Sequence, residues 1–267
     1  MGPFTKEYIL AMLYLMAAAF SGVTVISVSR VWTHWSPVLD TCIDIRCGCI
    51  LYATRSAHLA VGGDNYLCHF ASFSSVPVVI LGLLLAGYHI FRACTIKAKI
   101  TTLESMYRYQ SRNGGDVVLL NSHHHQHIAV IGNPDWKLLA LLSGLVSILL
   151  AANAAILTEG FFETCQEFRS ALVKALSGGT PALAAVVRER LSCNAVFDLM
   201  DYMEQNIVKN GTQGKLEYFH KEILDTSFYL QIGIVASWFN LVIWVVTLTC
   251  NSLLAKSVAQ FVSRIAN

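Results

Sequence analysis

Residues 228–255 read FYLQIGIVASWFNLVIWVVTLTCNSLLA and contain no charged side chain. A helix crosses the roughly 30 Å hydrocarbon core of a bilayer with about 20 residues, so this run is long enough to span it. Three further apolar runs cover residues 8–29, 70–91 and 138–157. The sequence therefore predicts an all-α membrane protein whose four transmembrane helices form a left-handed bundle.

The composition agrees with this prediction. Of the 267 residues, 55% are apolar and only 13% are charged, and the mean hydropathy is +0.53. A water-soluble globule of this length would carry more charged side chains on its surface. The formal net charge of +2 is small, so a nucleic-acid partner is not expected. We treat residues 1–267 as a single membrane domain, and the first run as an uncleaved anchor because it exceeds the apolar core of a signal peptide.

The loops between the runs predict the topology. Four spans place both termini and loop 92–137 on one side, with loops 30–69 and 158–227 on the other. The latter two loops hold six of the eight cysteines and the N-glycosylation acceptor Asn210, which suit an oxidising outer compartment. Basic residues flank the opposite ends of the runs, as in cytosolic segments. We expect cytosolic termini in the plasma membrane or a secretory-pathway membrane.

The outer cysteines predict a small stapled extracellular domain. Six thiols allow many pairings, and the sequence leaves the choice open. Spacing favours three disulfide bonds. Cys42 with Cys47 would close a short loop, Cys49 with Cys68 would close a longer segment of the first outer loop, and Cys165 with Cys193 would close a segment of the second.

The bond between Cys49 and Cys68 would enclose a β-hairpin, and the bond between Cys165 and Cys193 would enclose a helical hairpin. Strand-like segments 49–52 and 65–67 flank the turn-forming residues 61–64. Residues 168–192 are split by the turn-forming segment 177–181 into two helical stretches. The predicted extracellular domain is thus a helical hairpin plus a short β-hairpin.

Two apolar stripes at helical spacing run through the second outer loop. The first consists of Phe161, Phe162, Cys165, Phe168, Leu172 and Leu176, and the second of Val186, Leu191, Val196, Leu199 and Met203. Each stripe gives a helix one apolar face. These faces either pack within the stapled domain or leave part of their surface for a protein partner, and the sequence leaves both open.

Polar residues inside the four runs are few. His89 is the only ionisable side chain of the runs that draws attention, so no ion or proton pathway is predicted. Asn153 and Asn240, with Trp238 and Trp244, are candidates for helix packing or for a partner interface. Asn240 and Trp244 are spaced to share one helix face, whereas Trp238 is not.

Catalytic and metal-binding motifs are not expected to define this protein. Residues 123–127 hold four histidines in a polar loop, where a solvated segment is favoured over a zinc site that needs three or four fixed ligands. Nucleophile-elbow, metalloprotease and phosphate-binding signatures do not occur, so we predict neither an enzyme nor a cofactor. Cys94 and Cys250 are expected as free thiols, with lipidation of Cys94 as an alternative.

Several short motifs resemble the transmembrane protein 179 family. They are residues 49–52, the Cys-His-Phe at 68–70, residues 225–229, and the Ala-Ser-Trp at 236–238. The resemblance implies a four-pass protein with two cysteines in each outer loop, which correspond to Cys49, Cys68, Cys165 and Cys193, and it implies no catalytic residues. Trp32, Trp35 and residues 48–52 give a looser architectural similarity to claudin-like four-helix proteins.

These features together predict a non-catalytic function. The chain is expected to act as an accessory or scaffold subunit of a larger membrane complex, such as a channel or receptor. The alternative is an oligomeric channel or small-solute transporter, in which several copies share a pathway. The sequence leaves the partner and self-association open.

Overall fold

The computed structural model describes residues 3–39, 47–56, 59–112, 135–211 and 224–266. These residues are mostly helical, with one small sheet. In chain order the elements are α1 (Pro3–Leu39), β1 (Cys47–Ser56), β2 (Leu59–Asp64), α2 (Asn65–Phe73), α3 (Val76–Arg112), α4 (Trp136–Ser177), α5 (Pro181–Arg190), α6 (Cys193–Gly211) and α7 (Thr226–Ala266).

Within this part of the chain, four helical segments are long and apolar enough to cross a bilayer. They are Phe4–Leu39, Asn65–Thr102, Trp136–Ser177 and Thr226–Ser257. Each contains one of the runs predicted from the sequence, so the four membrane-capable helices are confirmed. Bilayer insertion and the exact spans remain predictions.

The helices differ from the predicted runs in length and continuity. The second run is not one helix, because Ser74 and Ser75 form a turn between α2 and α3. The third run and the first half of the predicted helical hairpin form the single helix α4, whose 42 residues extend ~63 Å at 1.5 Å per residue. Nothing in residues 158–177 breaks the helix, since that segment lacks proline and contains a single glycine, Gly160.

The predicted β-hairpin exists, but its second strand was placed too late in the sequence. Strand β2 ends at Asp64, and residues 65–67, predicted as a strand, begin helix α2. The Asp64 carboxylate accepts a hydrogen bond from the Tyr66 backbone N–H at 3.0 Å, which caps the helix. The glycines of residues 61–64, predicted as a turn, lie instead within the strand.

A bulge in β1 explains the glycine in β2. The antiparallel register shifts between Cys49 and Thr54, and Tyr52 adopts a φ of 60° inside the shift. A Cβ at Gly63 would lie 2.1 Å from the Leu51 carbonyl oxygen, so only glycine fits there. Two backbone groups of the bulge are satisfied by the Thr164 hydroxyl, which donates to the Ile50 oxygen at 2.8 Å and accepts from the Ala53 N–H at 3.2 Å.

The second predicted stripe of the outer loop does not form one continuous face. Helix α5 ends at Arg190, and Leu191 is extended, with φ −75° and ψ 113°. A new helix, α6, starts at Cys193, so Val186 lies on a different helix from Val196. Val186 is 52% exposed, whereas Val196 is buried. Pro181 starts α5, and the extended Leu191 ends it. The spacing of apolar residues alone does not reveal this break between α5 and α6.

The chain divides into two compact units. The first consists of Met1–Ala19, Val78–Ile148 and Asn240–Asn267, and the second of Phe20–Pro77 and Leu149–Phe239. In the first unit, α1 contacts α3 and α7, and α4 contacts α3 and α7, so the four helix segments form a ring. Gly82 allows α3 to approach α1 closely, because a Cβ there would meet the Tyr14 carbonyl oxygen at 3.1 Å.

The second unit holds the main apolar core. Its fully buried side chains come from α1, the hairpin, α2, α4, α6 and α7, and they include Val31, Leu39, Ile50, Leu51, Ala71, Leu157, Phe197 and Leu230. Phe161 stacks on Phe197 with ring centroids 4.9 Å apart, which joins α4 to α6. The hairpin therefore packs on helices rather than standing apart from them.

Two disulfide bonds join elements of the second unit. Cys49 bonds Cys68 and Cys165 bonds Cys193, the two pairs that loop spacing favoured. The first bond links β1 to α2, and the second links α4 to the start of α6. Cys47 is also disulfide-bonded, while Cys42 lies outside the described residues. Cys94 and Cys250 are free thiols, as expected.

Candidate functional site

Three ionisable side chains meet in the first unit; Glu7 and His89 are buried, and Arg92 is partly exposed. Glu7 of α1 is 4% exposed and His89 of α3 is fully buried. The Glu7 Oε2 atom lies 2.6 Å from His89 Nδ1, and Glu7 Oε1 lies 3.2 Å from Arg92 Nε. The carboxylate of Glu7 is thus shared by the His89 imidazole and the Arg92 guanidinium, both on α3. Charged groups are costly to bury unless they are paired, so this cluster holds α1 against α3 through its mutual attraction.

Aromatic rings enclose the imidazole of His89. The Tyr14 ring stacks on it at 5.5 Å, the Trp136 ring at 6.2 Å, and Tyr88 meets it edge-on at 5.3 Å. Tyr88 also accepts a hydrogen bond from Arg92 Nη1 at 3.2 Å. These rings come from α1, α3 and α4 and cover the fully buried His89 imidazole, so its contact with Glu7 lies in apolar surroundings, where electrostatic interactions are stronger than in water.

A chain of hydrogen bonds begins at Tyr14 and crosses to α7 and α4. Asn251 Nδ2 donates to the Tyr14 hydroxyl at 3.1 Å and approaches Ser143 Oγ at 3.2 Å. The Ser143 hydroxyl donates to the Leu139 carbonyl at 2.8 Å. Asn251, Ser143 and Tyr14 are fully buried. The polar cluster and this chain together join all four helices of the first unit.

Three polar atoms next to Tyr14 have unused hydrogen-bonding capacity. They are His89 Nε2, Trp244 Nε1 and Asn251 Oδ1, which have no hydrogen-bond partner among the residues that the structure describes. The Trp244 ring meets Tyr14 edge-on at 5.5 Å. An acceptor, a donor and an imidazole nitrogen therefore surround one phenol ring. Chemically, these atoms can donate and accept further hydrogen bonds.

Sequence reasoning missed most of this site. His89 was noted, but Glu7 was left outside the first run and Arg92 was assigned to the following loop. Asn251 was not singled out, although it lies in the fourth run. The available signal was the spacing of His89 and Arg92, which places both on one helix face beside an acidic residue at the start of another apolar helix.

The four packing or interface candidates separate into buried and exposed residues. Asn153, Asn240 and Trp244 are fully buried, and Asn153 Nδ2 donates to Ser75 Oγ at 3.2 Å. Trp238 is 45% exposed and donates from Nε1 to the Thr158 hydroxyl at 3.0 Å. Three of the four candidates therefore face the interior of the protein, and Trp238 is exposed.

A second polar site lies in the second unit, at the start of α7. The Asp201 carboxylate accepts hydrogen bonds from the Thr226 backbone N–H at 2.9 Å and the Thr226 hydroxyl at 2.6 Å. The same hydroxyl accepts from Trp35 Nε1 at 2.8 Å. Asp201 is only 7% exposed. Since α1, α6 and the first turn of α7 meet here, Asp201 acts as a remote cap for the last membrane-capable helix.

Replacing Asp201 with asparagine should destabilise the folded chain by about 1–3 kcal/mol. An amide oxygen can accept from Thr226, but the amide nitrogen that replaces the second oxygen cannot, so one buried donor loses its partner. Thermal unfolding of the purified protein in mild detergent would measure the loss. Asp198→Asn, on the same helix and exposed, is the matched control. Equal melting temperatures for both variants would contradict the capping role.

Tyr52 provides a further contact between the hairpin and α4. Its hydroxyl donates to Glu159 Oε2 at 3.3 Å. Burial raises the pKa of the Tyr52 phenol, and the nearby Glu159 carboxylate raises it further. Tyr52 therefore stays neutral and remains a hydrogen-bond donor.

Some predicted sites lie outside the described residues. These are the histidines of residues 123–127 and Thr212 of the glycosylation acceptor; the Asn210 backbone lies in α6, but its side chain is not described. Within the described part of the chain, no group of three histidine, cysteine or acidic side chains could hold a metal ion.

Comparison with known proteins leaves the chain without a match. No protein-family model, curated protein or solved structure matches it. The resemblance to the transmembrane protein 179 family and the looser claudin-like similarity stay predictions. The geometry of the two units is therefore the basis for any functional assignment.

Proposed function

We propose that this chain is a multi-pass membrane protein that acts without catalysis, as an accessory or scaffold subunit of a larger complex such as a channel or receptor. The observation that carries the proposal is a set of large exposed aromatic side chains on the disulfide-stapled second unit. Tyr66 is 81% exposed, Tyr202 65% and Phe162 58%. All three lie outside the spans predicted from the sequence, and Tyr202 also lies outside the longer membrane-capable helical segments.

Exposed aromatic residues on a rigid framework are typical of protein interfaces. Tyrosine and phenylalanine bury a large area at a low cost in side-chain entropy, and they are enriched in the centres of binding surfaces. The two disulfides fix the elements that present them, α2, α4 and α6, before a partner arrives. Such preorganisation lowers the entropic cost of association.

The disulfide bonds also support a proposed orientation. Disulfide bonds persist in oxidising compartments, so the second unit would face the cell exterior or the secretory lumen. The termini would then be cytosolic, and the plasma membrane or a secretory-pathway membrane is the proposed location. Glycosidase treatment tests this orientation. An Asn210→Gln chain that shows the same glycosidase-sensitive mass as the wild type would contradict it.

Co-purification tests the accessory role. The epitope-tagged chain is recovered from its native tissue in mild detergent, and associated proteins are quantified by mass spectrometry. We expect one larger membrane protein near stoichiometry, and its recovery should fall at least about tenfold with the combined Phe162→Ala and Tyr202→Ala variant. Gln166→Ala, exposed on the same helix as Phe162, is the control. Recovery of the chain without any stoichiometric partner would contradict the proposal.

The cluster of Glu7, His89 and Arg92 favours a second candidate function. Ionisable groups among membrane-capable helices commonly mark ion or solute pathways, so an oligomeric channel or transporter is the alternative. Proton or ion flux from the purified chain in liposomes tests it. Flux that is lost in Glu7→Gln would support this alternative, and wild-type liposomes as tight as empty ones would exclude it.

A further inference from the structure

The described side chains of the two units differ in charge. The first unit has six basic side chains and two acidic ones, a formal +4, and the second has five basic and eight acidic ones, a formal −3. The basic residues of the first unit are Lys6, Arg92, Lys97, Lys99, Lys137 and Lys256. The small net charge of the chain therefore conceals a strongly basic unit.

Glu7 does not neutralise the exposed lysines of this unit. Its carboxylate is buried and is occupied by His89 and Arg92. The other acidic side chain, Asp135, accepts a hydrogen bond from the Leu138 N–H at the start of α4. Lys6, Lys97, Lys99, Lys137 and Lys256 are all exposed. Their positive charge is thus available to an anionic partner.

Contacts within the first unit bring these lysines to one end of its helix ring. The ammonium group of Lys97 lies 6.0 Å from the centre of the Phe4 ring, which joins α3 to the start of α1 beside Lys6. Trp136 of α4 stacks on His89 of α3, and Lys137 follows Trp136 in the sequence, so it also lies near α3. On α7, Asn251 bonds Tyr14 about one turn before Lys256. The lysines of the four helices therefore form a basic collar, comprising Lys6, Lys97, Lys99, Lys137 and Lys256.

Large apolar side chains adjoin the collar along the helices. Tyr8 is 53% exposed, Phe91 71%, Leu138 60% and Leu253 62%. Each lies on the helix that carries a collar lysine, between that lysine and the rest of the apolar segment. A partner that covers both surfaces needs a negative group joined directly to hydrocarbon. Nucleic acids and acidic peptides lack such hydrocarbon, whereas an anionic phospholipid has both parts.

We propose that the basic collar binds the headgroups of anionic phospholipids, with the neighbouring apolar side chains against the acyl chains. The inference rests on the proposed membrane insertion. Lysines near a lipid surface attract anionic headgroups, and basic surfaces between membrane helices are suited to bind them. The collar would also hold this unit at the anionic, cytosolic leaflet.

Lipid retention by the purified chain tests the collar. The full chain in a non-ionic detergent is equilibrated with equal amounts of phosphatidylserine and phosphatidylcholine that carry identical acyl chains. Retained lipid is quantified after gel filtration. We expect phosphatidylserine to be retained about fivefold or more over phosphatidylcholine. High salt should reduce this preference because screening weakens the attraction.

Variants separate the collar from general charge effects. Substituting all five collar lysines with glutamine should abolish the preference, and substituting them with arginine should keep it. The control carries glutamine at Arg169, Lys174, Arg188 and Arg190 of the second unit and should also keep it. Equal retention of both lipids by the wild type, or a preference that survives the glutamine substitutions, would overturn the proposal.

Two further measurements test the lipid assignment and the membrane insertion separately. Inorganic phosphate that displaces phosphatidylserine at millimolar concentration would show a free-anion site and overturn the lipid assignment. A chain that stays monodisperse in water without detergent would contradict membrane insertion itself. Because retention is measured on the purified chain, a failed search for a protein partner has no bearing on its outcome.

Discussion

Replacing Glu7 with alanine is expected to destabilise the folded chain by about 3–5 kcal/mol, the largest effect of any single substitution proposed for this protein. The carboxylate is the shared partner of His89 and Arg92, and it is itself buried. Its removal takes away the negative charge that faces both His89 and Arg92 and creates a void between α1 and α3. Thermal unfolding in mild detergent, followed by loss of helical circular dichroism, measures the change.

A double-substitution cycle gives this prediction its control. If attraction within the cluster is the cause, Glu7→Ala with Arg92→Ala should destabilise the chain by clearly less than the sum of the single variants, because no uncompensated charge remains. Glu189→Ala, exposed in α5, should leave the melting temperature unchanged. Additive effects of the two single substitutions would show that Glu7 and Arg92 act independently.

Removing the disulfide between α4 and α6 is the second large effect. The double variant Cys165→Ser and Cys193→Ser should lose about 2–5 kcal/mol, because the bond closes a sequence separation of 28 residues and joins two helices of the apolar core. Both sulfur atoms lie against core residues, so the serine hydroxyls add a desolvation cost. Melting temperature and mobility on a non-reducing gel measure the outcome.

The free thiol Cys94 supplies the control for the disulfide experiment. Cys94→Ser removes a sulfur atom from an exposed position of α3 without breaking a bond, so it should leave both readouts unchanged. A Cys165→Ser and Cys193→Ser chain with wild-type melting temperature and mobility would contradict a structural role for the bond. Reductant should lower the melting temperature of the wild type more than that of the double variant.

The long apolar helices could be predicted because their signal is local. An uninterrupted run such as 228–255 needs no partner to indicate a membrane-capable helix, since length and hydropathy suffice. The face shared by Asn240 and Trp244 also follows from helical spacing, and both residues are fully buried. The two long-loop disulfides were favoured for a similar reason, because each pair brackets a compact loop.

Elements of the outer loops were harder to predict because their limits depend on distant contacts. Residues 65–67 have strand-like side chains, yet the Asp64 cap and the bond from Cys68 to Cys49 accompany their helical conformation. The bulge at Tyr52 depends on Thr164, which is more than a hundred residues away. Local propensity is weaker than such tertiary contacts.

The sequence by itself determined the number of membrane-capable helices and the stapled character of the intervening loops, because hydrophobic length and cysteine spacing are properties of the chain itself. Only the tertiary structure decided that His89 and Arg92 share the carboxylate of Glu7, that Asp201 caps α7, and that five lysines gather at one end of the first unit. Each of these groups combines residues from more than one helix. Their meeting depends on how the helices pack, which no spacing within a single segment records.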